Sequence, residues 1–283
     1  MSTGVVVMAY GTPASPEEIE SYYTHIRRGR PPTHEQVADL RARYEAIGGL
    51  SPLRRITEAQ RDRIAHALGD GFQVALGYKH ASPFVEDAAA SLSHDVDRIV
   101  GVVLAPHYSR GSIGEYIERL GHRAVESWHD VREWRTFQAR AVTDALAGMP
   151  DRTVVVFTAH SLPERVLEND IYPDELRASA AAIASEAGLG SDAWTIGWQS
   201  AGRTPEPWRG PDILETIDSI DADGVLVCAQ GFTADHLEVL YDLDVAARAR
   251  ASLRGIAFAR TSMVNDDETV LGALAERVRS FAA

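Results

Sequence analysis

The chain has 283 residues, 45% of them hydrophobic, and a formal charge of −13 from 28 Lys+Arg against 41 Asp+Glu. That length can bury one large core or two modest ones, and the charge argues against a nucleic-acid partner, whose phosphates would be repelled. The single cysteine, Cys228, excludes an internal disulfide framework and any cysteine-held iron–sulfur cluster or zinc site.

The opening run MSTGVVVMAYGT lacks a basic segment and a long apolar stretch before Gly11 and Pro13, so it reads as a first strand and not as a signal peptide. No run approaches the ~18 apolar residues of a membrane span, and a cytoplasmic location is the simplest expectation. Strands are predicted at Gly4–Ala9, Phe72–Tyr78, Arg98–Ala105, Thr153–Thr158, Trp194–Trp198, Gly224–Ala229 and Gly255–Ala259. They are nearly unbroken Val/Ile-rich runs, as parallel strands buried on both faces require. A buried strand position accounts for Cys228.

Helical patterns lie between them at Pro16–His25, His34–Ile47, Ile56–Leu68, Pro83–Ser93, Asp174–Glu186, Asp212–Ile220 and Asp267–Phe281, with caps and glycine stops near their ends. Ser112–Met149 reads as mostly helical and polar, with Trp128 and Trp134. Strand–helix alternation predicts an α/β fold with mainly parallel sheets. Element order and length divide the chain into two α/β lobes, 1–148 and 149–264, with the C-terminal helix over 265–283 rejoining the first. No glycine-rich nucleotide fingerprint follows any strand.

Ligands of open α/β sheets collect at the carboxyl ends of strands. Those ends are followed here by Tyr10, by Lys79-His80, by His107-Tyr108-Ser109-Arg110, by His160 and by Gln199-Ser200. A single histidine of this kind is more often a satisfied structural residue, but imidazoles after three strands at one edge point to a functional cleft. The strand at Gly224–Ala229 leads into DHLEVLYDLD, Asp235 to Asp244. On a helix, Asp235, Glu238 and Asp242 fall within about 60° of one another, while Leu237, Leu240 and Leu243 form a packing arc. Asp235 sits where an N-cap belongs. The residues alone leave two readings of this stretch open, a solvated acidic face or a surface that handles a metal or a proton.

Six motifs narrow the choice: MAYGTP (8–13), THIRRGR (24–30), RYEAIGGLSPL (43–53), HSLPE (160–164), WQSAGRTPEPWRGPD (198–212) and GFTADHLEVLYDLD (231–244). Together and in this order the chain resembles the ferrochelatases, and the first two motifs are similar to the Gram-positive type that acts on coproporphyrin III. The resemblance spans nearly the whole chain. It implies two Rossmann-like lobes, each with a mainly parallel four-stranded sheet flanked by helices. It also implies a lyase that inserts Fe²⁺ into coproporphyrin III to give coprohaem, with Fe²⁺ as substrate and no tightly bound cofactor or iron–sulfur cluster.

Metal insertion strips two pyrrole protons and the water of the iron, so a base must face the macrocycle. Imidazole suits that task, and a carboxylate beside it can hold a hard metal ion or pass protons on. The resemblance assigns these roles to His160 and Glu238, as catalytic and metal-contacting residues, leaving open which takes the pyrrole proton and which delivers iron, and makes Tyr10 an axial contact to the product iron. It implies a second acidic site at Asp242 with Arg43, which Ala246 weakens because the family has a carboxylate there. Arg27, Arg28, Arg30, Ser51 and Lys79 are candidates to anchor the propionates; arginines there also complement the dipole of a helix C-terminus, which needs no ligand. Trp198 and Trp208 are assigned to core. The expected partners are coproporphyrin III, ferrous iron and the downstream coprohaem decarboxylase, with no nucleic acid and no membrane segment, in a monomer. Protoporphyrin IX as substrate, a cobalt or nickel chelatase, and a non-catalytic tetrapyrrole carrier stay open as alternatives.

Overall fold

The computed structural model describes residues 2–283. The chain runs β1 (Thr3–Ala9), α1 (Ile19–Ile26), α2 (His34–Ala46), α3 (Leu53–Leu68), β2 (Phe72–Tyr78), α4 (Val85–Leu92), β3 (Arg98–Val103), α5 (Ile113–Leu120), β4 (Ala124–Val125) and α6 (Arg132–Leu146). It continues with β5 (Thr153–His160), α7 (Glu164–Leu167), α8 (Tyr172–Glu186), β6 (Trp194–Gln199), α9 (Ile213–Ser219), β7 (Gly224–Cys228), α10 (Leu237–Val239), a π-helical segment (Leu240–Ala247), α11 (Arg248–Arg254), β8 (Ala257–Arg260) and α12 (Glu268–Ala282).

The strands form two four-stranded sheets, ordered β2-β1-β3-β4 and β6-β5-β7-β8, and every pairing is parallel. Alternate side chains of one strand reach opposite faces. Val5 and Val7 therefore join one core cluster, and Val6 and Met8 join another beneath α4 and α5. In the second sheet Val155 and Phe157 face the first cluster, while Val156 packs with Val225, Val227 and Ile217. Burial on both faces is why these strands read as continuous apolar runs.

The first cluster contains residues of both sheets together with Trp128, Trp134 and the apolar face of α12. Arg279 of α12 donates to the Ala67 and Leu68 carbonyls at the end of α3, at 3.0 and 3.1 Å, which holds the last helix against the first lobe. Trp198 is buried as expected, whereas Trp208 is half-buried and donates to Thr204 at 2.7 Å.

The sequence reading missed β4, two residues inside a stretch read as helical. Of the packing arc expected over 235–244, Leu243 is buried, but Leu237 and Leu240 are not its companions. Val239, Leu243, Ala247 and Ala251 are the buried row, and Leu237 and Leu240 are only half-buried. The helix begins at Leu237, not Asp235, so the turn is offset from the one assumed.

Candidate active site

His160 is the last residue of β5, an internal strand of the second sheet. The segment after β7 must lie against that strand end to bring Glu238 near it, and Gly231 permits this. Gly231 N–H donates to Thr158 O at 3.0 Å, and a Cβ at Gly231 would lie 2.7 Å from the Ala159 Cα, too close for any side chain. The result is a contact of 3.5 Å between His160 Nε2 and Glu238 Oε1. Glu238 Oε2 is 3.5 Å from His236 Nε2, so the carboxylate is flanked by two imidazoles.

The tautomers follow from the other ring nitrogens. His160 Nδ1 faces the Ser161 carbonyl, and His236 Nδ1 lies 3.0 Å from the Ala234 carbonyl. Each Nδ1 must carry a proton to donate, which points the Nε2 atoms at Glu238. Burial works against charge on both partners, yet their mutual attraction wins: His160 is raised above its ordinary value and Glu238 is held far below the usual carboxylate range. Both remain about one-third exposed, 35% and 32% of the side chain, so the pair can meet a ligand.

Asp242 lies one turn on, within the π-helical segment. Ser200 Oγ donates to Asp242 Oδ2 at 2.5 Å. Ser200 reaches it from a left-handed backbone conformation (φ 60°) directly after β6, a strained geometry of the kind found at functional sites. Burial, with help from the Glu238 charge and against the Ser200 bond, pushes the Asp242 carboxyl up to about 6. A raised acid binds its proton more tightly folded than unfolded, so ionised Asp242 costs stability as pH rises from 3.8 to about 6. Asp242→Asn is therefore expected to be more stable to unfolding than the parent protein at pH 7.5, by at most about 3 kcal/mol. The gain should shrink toward pH 4; an equal gain at both pH values would contradict a titrating Asp242.

The expected acidic ridge is not continuous. Asp235 makes no helix cap: it takes Arg260 Nη2 at 2.9 Å and Asn265 Nδ2 at 2.8 Å. Arg260 also binds Asp244 at 2.9 Å. Two of the four acids of DHLEVLYDLD are thus committed to one arginine away from His160, and Glu238 and Asp242 alone face the cleft. Arg43 lies with its guanidinium 4.9 Å from the Tyr241 ring centroid and 3.2 Å from Asp39. Among the described residues no group of three His, Cys, Asp or Glu side chains closes into a metal-binding cluster.

Tyr10 follows β1, an internal strand of the first sheet, and is 40% exposed. The Glu238 charge acts on the phenols of Tyr10, after β1, and of Tyr44, on α2, so these two elements of the first lobe border the same cleft as Glu238. Burial, then Glu238 and other neighbours, pushes the Tyr10 phenol well above its ordinary value. Its ring lies 4.6 Å from that of His80, whose Nδ1 is 3.0 Å from His25 Nδ1. Burial and nearby cations push His80 down to about 3, so it is neutral.

The propionate candidates divide. Arg27, Arg28 and Arg30 follow α1 directly, and Arg30 is exposed. Arg28 is 87% exposed and sits 3.0 Å from Glu115 Oε1. Lys79 is 8% exposed, with Nζ 2.6 Å from Glu115 Oε2, so one carboxylate already holds two of the five candidates. Ser51 is buried and its Oγ accepts from Leu53 N–H at 3.3 Å.

His107 does not join the cleft set. It is buried, and its Nε2 lies 2.8 Å from Ser179 Oγ in a bonded row that continues to Gln230. Sequence reasoning gave no role to His236, although it stands beside Glu238 in the motif, nor to Tyr172, whose hydroxyl donates to the His160 carbonyl at 3.1 Å. Two positions from Glu238 was the only signal available for His236; nothing local marks Tyr172.

Comparison with known proteins matches the family model described as Ferrochelatase to residues 2–282. A coproporphyrin III ferrochelatase of Geobacillus kaustophilus is 41% identical over 302 aligned positions, covering 98% of this chain and 95% of that protein. The protein of the same name from Bacillus subtilis is 41% identical over 297 positions, covering 96% and 95%. Among solved structures, SirB from Bacillus subtilis with Fe³⁺ matches with a TM-score of 0.56 at 12% identity, covering 100% of this chain and 96% of that one. A multi-domain protein of Deinococcus radiodurans with structural similarity to chelatases matches at 0.51 and 11% identity, covering 97% of this chain and 54% of that one. At such identities these two speak for the two-sheet fold alone. The match of the family model over almost every residue, joined to relatives at 41% identity, means that the chain belongs to the ferrochelatase family.

Proposed function

We propose that this chain inserts Fe²⁺ into coproporphyrin III, giving coprohaem and releasing two protons. The observation that carries the reading is the His160–Glu238 pair at the cleft in a chain 41% identical, over 98% of its length, to a coproporphyrin III ferrochelatase. His160 accepts a pyrrole proton through Nε2, since its Nδ1 is committed to Ser161 O. Glu238, held far below the usual carboxylate range, is a poor base but a good hard oxygen ligand for ferrous iron. Iron arriving at Glu238 offsets the negative charge that holds a proton on His160, so metal arrival frees the base.

Tyr10 supplies the axial contact to iron in the product. Its raised pKa keeps it neutral until a metal cation offsets the burial cost of phenolate. Arg27, Arg28 and Arg30 meet propionates at the exposed end of α1, and the Ser51 hydroxyl donates to another. Lys79 and Arg28 exchange Glu115 for substrate carboxylate. Iron is substrate, no resident cofactor or cluster takes part, and the product passes to a coprohaem decarboxylase. The protein works as a monomer in the cytoplasm; none of its helices among the described residues is long and apolar enough to cross a membrane.

The test is anaerobic incubation of purified protein with Fe²⁺ and either coproporphyrin III or protoporphyrin IX. Free-base absorption bands should give way to those of the metallated porphyrin, faster with coproporphyrin III. A spectrum no different from buffer refutes the activity, and faster turnover of protoporphyrin IX refutes the substrate.

A further inference from the structure

The backbone of His160 is tied to the other lobe through a short relay. After β3, Ser109 Oγ and Arg110 N–H donate to Asp170 Oδ2, at 3.2 and 2.8 Å. The second oxygen of Asp170 accepts the Tyr172 N–H at 2.9 Å, at the start of α8. Tyr172 is buried against Trp198, ring centroids 5.9 Å apart, and its hydroxyl donates to the His160 carbonyl at 3.1 Å. Glu175, one helical turn further on, takes Tyr108 N–H at 2.7 Å and Ser127 Oγ at 2.9 Å from the first lobe.

The next residue is fixed differently. Ser161 N–H donates to Gln199 O and its Oγ to Arg209 O, both at 2.7 Å and both within the second lobe. The His160 carbonyl is thus a point at which the position of the first lobe reaches the backbone of the imidazole-bearing residue itself. Tyr10, Lys79 and the arginines after α1 all belong to that first lobe. A macrocycle seated on them meets His160 at a depth set by the Asp170–Tyr172 connection. Reaction rates depend steeply on such a distance, with a 1 Å misplacement costing roughly 10²-fold.

We propose that Asp170 and Tyr172 are positioning residues, a latch that sets the depth of His160 relative to substrate held by the opposite lobe. The inference rests on the proposed chelatase reaction. Neither residue touches substrate; both act through the His160 backbone.

The test compares Tyr172→Phe, Asp170→Asn and the double variant with the full-length parent. Tyr172→Phe removes one oxygen and leaves the ring packed, so its melting temperature should stay within about 2 °C. Its kcat for iron insertion should fall about tenfold, with KM for coproporphyrin III and for Fe²⁺ within about twofold. Asp170→Asn should lower kcat similarly, and the double variant should be no slower than the slower single one, because both changes cut one relay. A kcat for Tyr172→Phe within twofold of the parent overturns the latch. So does multiplicative loss in the double variant, or a loss that disappears on assay well below the melting temperature. A parent protein that inserts no iron refutes the proposed reaction instead, and that result is read before any variant is made.

Discussion

His160→Ala is expected to lower the rate of iron insertion into coproporphyrin III by about 10²–10⁴-fold, the span of a lost general base. The variant should still fold. The His160 side chain is about one-third exposed, and its backbone contacts to Tyr172 and across to β6 use main-chain atoms that alanine keeps. The substitution strands Glu238 beside His236 alone, so its carboxyl should titrate higher than in the parent. Porphyrin binding, followed by fluorescence quenching, should change little because the residues proposed to anchor the propionates lie on the other lobe. Turnover within tenfold of the parent, in protein that melts normally, would remove His160 from the proton-accepting role. Loss of both turnover and porphyrin binding would assign it to the substrate site instead.

The expectation could be framed from sequence because the strand ends were legible. Val-rich runs such as Val5–Val7 and Val154–Val156 have no competing helical period, and a parallel sheet buries both their faces. β4 was not legible, since Ala124–Val125 is two residues between Arg123 and Glu126 and owes its strand geometry to pairing with β3. His107 and His160 look alike in sequence, each an imidazole after an apolar strand. What separates them is distant: Ser179 and Gln230 enclose one, and Glu238 faces the other.

The acids of 235–244 carry the same lesson. Helical spacing grouped Asp235 with Glu238, but Arg260 and Asn265, far along the chain, claim Asp235. Spacing describes where a side chain can point, and a partner 25 or 30 positions away decides which charge remains for chemistry. The family motifs singled out Glu238, which lies 3.5 Å from His160, while neither motif nor spacing marked Tyr172, whose proposed role depends on a carbonyl.

Glu238→Gln separates charge from shape at the same site. Glutamine keeps an acceptor oxygen near His160 Nε2 and loses the negative charge, so iron insertion should fall by about 10²-fold or more. Burial would then act on His160 against only the Ser161 carbonyl and the more distant Asp242 charge, so its pKa should fall below the raised parent value. The acid limb of the remaining activity should therefore move to lower pH, opposite to a simple loss of rate. Stability supplies an independent sign. In the parent, the raised His160 stabilises the fold below pH 6.5 and loses this as pH rises through its folded value; the lowered Glu238 stabilises above 4.5 and loses this as pH falls. The pair contributes most between those limits. The melting deficit of Glu238→Gln should accordingly be larger at pH 5.5 than at pH 8.5, where neutral His160 no longer compensates the buried carboxylate and the neutral amide can become the better occupant. An equal deficit at both pH values, or an acid limb that does not move, would mean that Glu238 acts on iron alone and not on the proton affinity of His160.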